Sequence, residues 1–105
     1  MFGRNKTIIR PEKAAALIQE GTAFVLDVRT PEEYAEAHLK GAVLIPDYEL
    51  PQRIGELPTD NTAVILVYCR SGGRSAGAVR FLRERGYAKA FNMGGLASLP
   101  FEKEG

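Results

Sequence analysis

The residues with the most chemical potential lie in one short stretch, Cys69-Arg70-Ser71-Gly72-Gly73-Arg74-Ser75. A thiol is a strong nucleophile only as its thiolate, and a free Cys titrates near ~8.5, so the surroundings must favour the anion. A helix beginning just after the loop offers unpaired N–H groups and the positive end of its dipole. Arg70 and Arg74 add fixed positive charge. Gly72 and Gly73 allow the backbone to enter the positive-φ region, so successive N–H groups can curl inward as an anion-binding nest. The expected chemistry is nucleophilic, with Cys69 on the floor of a small anion cradle and Arg70 and Arg74 near its rim. Taken singly these residues say less. A lone Cys is most often a small buried hydrophobe, a glycine pair is most often a tight turn, and an arginine is most often a solvated charge. The constellation points to a reactive thiol.

The elements around the loop decide whether it can be so placed. Thr62–Tyr68 is apolar through its middle and β-branched, as a central parallel strand buried on both faces requires. Ser75–Arg85 follows as a helix with Ala76, Val79 and Leu82 on one face and Gly86 past its end. Upstream, Thr7–Ile9 is a short candidate strand. Pro11–Glu20 reads as a helix with an early Pro, closed by Gly21. Ala23–Val28 is a strand, and Thr30-Pro31-Glu32-Glu33 is a capping box opening a short helix that ends near Ala37. A strand within Ala42–Ile45 comes next. Residues 47–57 read as one or two helical turns interrupted by Pro51, and Ala88–Phe91 as a last strand. Strands alternating with helices imply an α/β domain with a mostly parallel sheet. Ligands of such sheets sit beyond the strands' carboxyl ends, which is where Cys69 falls.

Composition narrows the possibilities. With 105 residues, 45% hydrophobic and 26% charged, the chain fits one globular domain, 1–105, its first six residues expected to be flexible. One Cys and one His exclude a disulfide framework and a multi-Cys or His-rich metal site. A formal charge of +1 gives no electrostatic footprint for nucleic acid. The basic start, Met1–Lys6, lacks the apolar core of a secretory signal, and the longest apolar run, Ala63–Tyr68, is too short to cross a bilayer. The expectation is a cytoplasmic protein, a monomer or weak homodimer, that binds no membrane and carries no cofactor.

The loop and its strand, Val64-Ile65-Leu66-Val67-Tyr68, resemble the active-site loop of rhodanese domains. Asp27-Val28-Arg29-Thr30-Pro31-Glu32-Glu33-Tyr34, then His38, Gly41-Ala42 and Ile45-Pro46, resemble that family's N-terminal signature in order and spacing. Gly94-Gly95-Leu96 resembles its C-terminal glycine pair. The resemblance implies a five-stranded parallel sheet flanked by helices on both faces. It also implies sulfurtransferase chemistry, in which Cys69 takes a sulfane sulfur from a small anionic donor such as thiosulfate. The resulting persulfide is handed to cyanide, a thiol or a protein acceptor. Arg70, Ser71, Gly72, Gly73, Arg74 and Ser75 would then bind the substrate. No second cysteine is present to resolve the persulfide, so the acceptor must be external.

Asp27 and Arg29 are expected as supporting residues, as an ion pair bracing the sheet rather than as pocket contacts. Gly94 and Gly95 are expected to let the backbone pass close to the Cys loop. His38 reads as a structural hydrogen-bonding residue, and Glu32, Glu33 and Glu36 as a solvated helix face. Arg80, Arg83 and Arg85 read as an exposed basic face. The chain departs from the family pattern at Ala37 and Leu44, where Gly and Asn are usual, and it has no Trp. Its C-terminal helix is expected to be shortened, because Leu99-Pro100 follows the glycine pair so soon. Three alternatives stay open: a persulfide carrier, a non-catalytic interaction module, and a phosphatase or arsenate reductase on the same fold. The last group places five residues between Cys and Arg, whereas four stand between Cys69 and Arg74. The smaller ring suits one sulfur atom better than a tetrahedral oxyanion.

Overall fold

A computed structural model describes residues 6–105. Most of the segment 1–6, expected to be flexible, therefore lies outside the described residues. The chain runs α1 (Pro11–Gln19), β1 (Ala23–Asp27), α2 (Pro31–Glu36), β2 (His38–Leu39), β3 (Val43–Leu44), β4 (Val64–Cys69), α3 (Gly73–Glu84), β5 (Ala90–Gly95) and β6 (Lys103–Glu104). Three single 3₁₀ turns, Asp47–Glu49, Ile54–Glu56 and Leu96–Ser98, fill the connections.

The main sheet is parallel, in the order β3-β1-β4-β5. It has four strands where five were expected. The Thr7–Ile9 segment contributes only an isolated parallel bridge, Ile8 to Asn92, made by Ile9 N–H to Asn92 O and Asn92 N–H to Thr7 O. Pro11 opens α1 two residues later, which leaves no length for a longer pairing.

Side-chain alternation along the strands divides the interior into two cores. Leu26, Val28, Ile65, Val67, Cys69 and Ala90 pack with Ala78, Val79 and Leu82 of α3. Val25, Leu66, Tyr68 and Met93 pack on the other side with Ala14 of α1, Leu39 and Leu99. β4 is buried from Ile65 onward, as the unbroken apolar run requires. Helices thus cover both faces, and this holds the C-terminal end of β4 rigidly at the sheet's centre.

The termini of several elements differ from expectation. α3 starts at Gly73, two residues before Ser75, so it takes in half of the glycine pair. The last strand of the main sheet is Ala90–Gly95 and includes both glycines. The expected C-terminal helix is reduced to the 3₁₀ turn Leu96–Ser98. Beyond it, β6 pairs antiparallel with β2, with His38 opposite Glu104 and Leu39 opposite Lys103. Two residues on each side are too few to show periodicity, and their pairing is non-local.

Candidate active site

β4 ends at Cys69, and the chain must turn at once into α3. Gly72 makes that turn, with φ +98°, and serves as the N-cap of the helix. Gly73 does not have a positive φ, and a Cβ there would meet nothing within 4 Å. Only the first of the two glycines is therefore needed for backbone freedom.

The turn aims the first amides of α3 at the sulfur. Cys69 Sγ receives the N–H of Gly72 at 3.0 Å and the N–H of Ser75 at 3.4 Å, and the Ser75 hydroxyl lies 3.4 Å away. Cys69 is 1% exposed and Ser75 fully buried. Burial works against the thiolate. Hydrogen bonding from the Ser75 side chain and the N–H groups of Ser75, Ser71 and Gly72 outweighs it, so the thiol is lowered from its ordinary value. This is how one buried Cys can be both a member of an apolar core and a nucleophile.

The glycine pair closes the back of the loop. Gly94, with φ +100°, lies against Gly72. At Gly95 a Cβ would overlap the carbonyl oxygen of Arg70 and crowd the Cα of Ser71. The close approach expected of these glycines is thus made by loop backbone against strand backbone.

The arginines behave differently from one another. Arg74 forms a two-pronged ion pair with Glu33, Nη1 to Oε1 at 2.9 Å and Nη2 to Oε2 at 3.0 Å. Glu33 also closes the capping box, accepting the Thr30 N–H while its own N–H donates to Thr30 Oγ1. Hydrogen bonds from Arg74 first, then those from Thr30 and the Arg74 charge, pull the Glu33 carboxyl down from 4.5 to about 2 against the opposing effect of burial. Glu33 is therefore not part of a solvated face, and Arg74 is not a free anion receptor in this structure. Arg70 is exposed, and its guanidinium has no hydrogen-bonding or ionic partner among the described residues. It borders a groove of about 340 Å³ together with Arg29, Glu33, Glu36, Leu96 and Lys103. Ser71 is exposed. The lowering of the thiol comes chiefly from the loop's hydrogen bonds, and the Arg74 charge acts in the same direction.

Asp27 and Arg29 form the expected bracing pair. Arg29 Nη2 lies 2.7 Å from Asp27 Oδ2, and the two are 5% and 0% exposed. Tyr68 donates its hydroxyl to Asp27 Oδ2 at 2.6 Å and accepts the Leu39 N–H at 3.0 Å. Arg29 also donates to Ala37 O, which ties the end of α2 to the sheet. His38 stacks on Tyr34 with ring centroids 3.6 Å apart, and its Nδ1 lies 2.7 Å from Tyr34 O. Of the distal arginines, Arg83 donates to Ala90 O and Arg85 lies over the Phe81 ring, so neither is a plain surface charge.

Nothing in the sequence marks Asn92, yet it is the one buried amide side chain at the site, 7% exposed. It accepts the Gly94 N–H at 2.8 Å and the Ser75 hydroxyl at 2.7 Å, and it donates to Gly72 O at 3.1 Å. A register shift sets this up, since Val67 pairs with Asn92 but Tyr68 pairs with Gly94. The bulge leaves Met93 unpaired and directs Asn92 under the loop. Among the described residues no cluster of His, Cys, Asp and Glu is arranged to hold a metal, and no helix is long and apolar enough to cross a membrane.

Comparison with known proteins agrees with this geometry. Residues 10–98 match the family model for the rhodanese-like domain. The chain is 38% identical over 78 residues to the thiosulfate sulfurtransferase PspE of Escherichia coli strain K12, covering 74% of this chain and 75% of that one. A solved rhodanese with anions from E. coli superposes with TM-score 0.74 at 36% identity, covering 78% of this chain and 96% of that one. A rhodanese-related protein from Thermoplasma volcanium gives TM-score 0.81 at 29% identity, over 92% and 96% of the two chains. By the family match, the relatives and the shared architecture alike, the chain belongs to the rhodanese-like domain family.

Proposed function

We propose that this protein is a sulfurtransferase that carries a sulfane sulfur on Cys69, with thiosulfate as a competent donor. The observation that supports this best is the pair of N–H groups, from Gly72 and Ser75, directed at one buried sulfur. The Cys69 thiolate attacks the outer sulfur of thiosulfate, the S–S bond of the donor breaks, and its electron pair leaves with sulfite. Cys69 is left as a persulfide anion. An acceptor nucleophile, cyanide or an external thiolate, then takes the terminal sulfur and returns the Cys69 thiolate. Charge balances in each step, and no proton need move while the thiol is ionised. Splitting the transfer in two replaces one difficult encounter with two easier ones.

The loop amides are poised to hold negative charge on either sulfur. Arg70 is suited to meet the doubly charged donor first, being the loop's unpaired cation. Arg74 contributes mainly by anchoring α2 to α3 through Glu33. The naming of relatives as thiosulfate sulfurtransferases supports the same reaction. The four-residue spacing between Cys69 and Arg74 favours a single-sulfur guest over a phosphoryl group. The assay is thiocyanate production from thiosulfate and cyanide. Turnover that vanishes in Cys69→Ser is the expected result. Brisk hydrolysis of a phosphomonoester with no thiocyanate formed would overturn the proposal.

A further inference from the structure

The network around Ser75 contains a proton shortage. Ser75 Oγ has one hydrogen, and three groups lie within reach of it: Asn92 Oδ1 at 2.7 Å, Gly72 O at 3.1 Å and Cys69 Sγ at 3.4 Å. The orientation of the Asn92 amide is fixed by partners that have no choice of role. The Gly94 N–H can only donate, so the atom 2.8 Å from it is the amide oxygen. The Gly72 carbonyl can only accept, so the atom 3.1 Å from it is the amide nitrogen. Asn92 Oδ1 therefore cannot donate to Ser75, and the shortest of the three contacts requires the Ser75 proton to point at Asn92. Gly72 O keeps other donors, the Ala76 N–H and the Asn92 amide, and does not depend on Ser75.

We propose that Asn92 acts on the reaction through Ser75, as a positioning residue that draws the hydroxyl proton away from the sulfur while Cys69 is a thiol and yields it when the sulfur becomes anionic. While Cys69 is a thiol the chain of donation runs from the Cys69 S–H to Ser75 Oγ, and from the Ser75 O–H to Asn92 Oδ1. When the sulfur is charged the Ser75 hydroxyl rotates toward it, and Asn92 Oδ1 retains the Gly94 N–H. Rotation of one hydroxyl moves no heavy atom, so a fully buried serine can make it. Asn92 thereby weakens the help that Ser75 gives the thiolate, and limits exposure of a reactive thiolate when no donor is bound. The charged groups near the sulfur do not replace this control. Arg74 favours the anion through its charge, but Glu33 holds it in place whichever way the Ser75 hydroxyl points; Arg70 lies at the exposed rim, and Asp27 hydrogen-bonds Tyr68, whose side chain lies on the sheet face opposite Cys69.

The proposal deepens the sulfurtransferase reading, but its test needs no sulfur donor, so each can fail without the other. The readout is the rate of Cys69 alkylation by iodoacetamide at mildly acidic pH in the whole protein, compared among wild type, Ser75→Ala, Asn92→Leu and the double variant. Leu has nearly the shape of Asn and no polar atoms. Asn92→Leu is expected to raise the rate about threefold or more, because Ser75 is then free to serve the sulfur. Ser75→Ala is expected to lower the rate less than about threefold alone and more than that in the Asn92→Leu background, a non-additivity that loosened packing does not produce. Asn92→Leu with unchanged or slower alkylation, or equal effects of Ser75→Ala in both backgrounds, overturns the proposal. Should Asn92→Leu lose cooperative melting, Ser75→Ala alone decides: a loss below about threefold supports the assignment and a larger loss refutes it.

Discussion

Replacing Glu33 by Gln separates two roles that one carboxylate performs. Gln keeps the capping box, since either side chain at this position can accept the Thr30 N–H. It removes the charge that holds Arg74. The lowering of Glu33 from 4.5 to about 2, led by Arg74 and shared with Thr30, amounts to about 3 kcal/mol at face value, an upper bound on the Arg74 part. Arg74 is 33% exposed and Glu33 20%, so solvent screening reduces the expected loss of stability in Glu33→Gln to about 1–2 kcal/mol. The sign with pH follows from the lowered carboxyl. Its contribution is complete above 4.5, the value of the free group, and is lost as the pH falls toward about 2. Urea unfolding from neutral pH down to acid is the assay. The stability gap between wild type and Glu33→Gln should be constant above the free value and close below it. The same substitution frees Arg74 beside the loop, so the KM for thiosulfate should fall about two- to fivefold, the effect of returning one partly screened charge to the site. A gap that does not change with pH, or a KM that rises in a protein that is otherwise folded, would refute the assignment of Arg74 to Glu33.

Other substitutions test the remaining structure. Gly95→Ala puts a Cβ into the Arg70 carbonyl, where only backbone can yield, and should cost more than about 2 kcal/mol and most of the activity. Gly73→Ala has open space and an ordinary helical φ, so melting should be unchanged or slightly raised. Tyr68→Phe leaves the Leu39 N–H without its partner and removes a donor from Asp27, so chemical denaturation should show a loss of about 2–4 kcal/mol. Arg70→Ala should raise the KM for thiosulfate more than Arg74→Ala does, while Arg74→Ala should lower stability more, as steady-state kinetics and melting of the two variants will read.

The sequence made the parallel α/β order legible because each strand and helix carries its own local signal. The apolar run of β4 demands burial on both faces, and Thr30-Pro31-Glu32-Glu33 caps α2 as its chemistry dictates. The turn at Gly72 was likewise visible, because a thiol, a glycine and a helix start have a local geometry. What escaped is non-local. Glu33 is 41 positions from Arg74, and no pattern on α2 reveals that its charge is spoken for. Asn92 is indistinguishable from any strand residue until a bulge beside Met93 turns it under the loop. The expected fifth strand fails for a local reason that is easy to overlook, namely that Pro11 begins a helix before Thr7–Ile9 can extend. The β2–β6 pair has too few residues to announce itself.

Intact-protein mass spectrometry after exposure to thiosulfate reads whether Cys69 takes up sulfur. Wild type should gain one sulfur, about 32 Da, and lose it on addition of cyanide, while Cys69→Ser keeps its fold and gains nothing, as a covalent intermediate on Cys69 requires. A wild-type mass that never changes, or the same gain in Cys69→Ser, would mean that Cys69 is not the sulfur carrier.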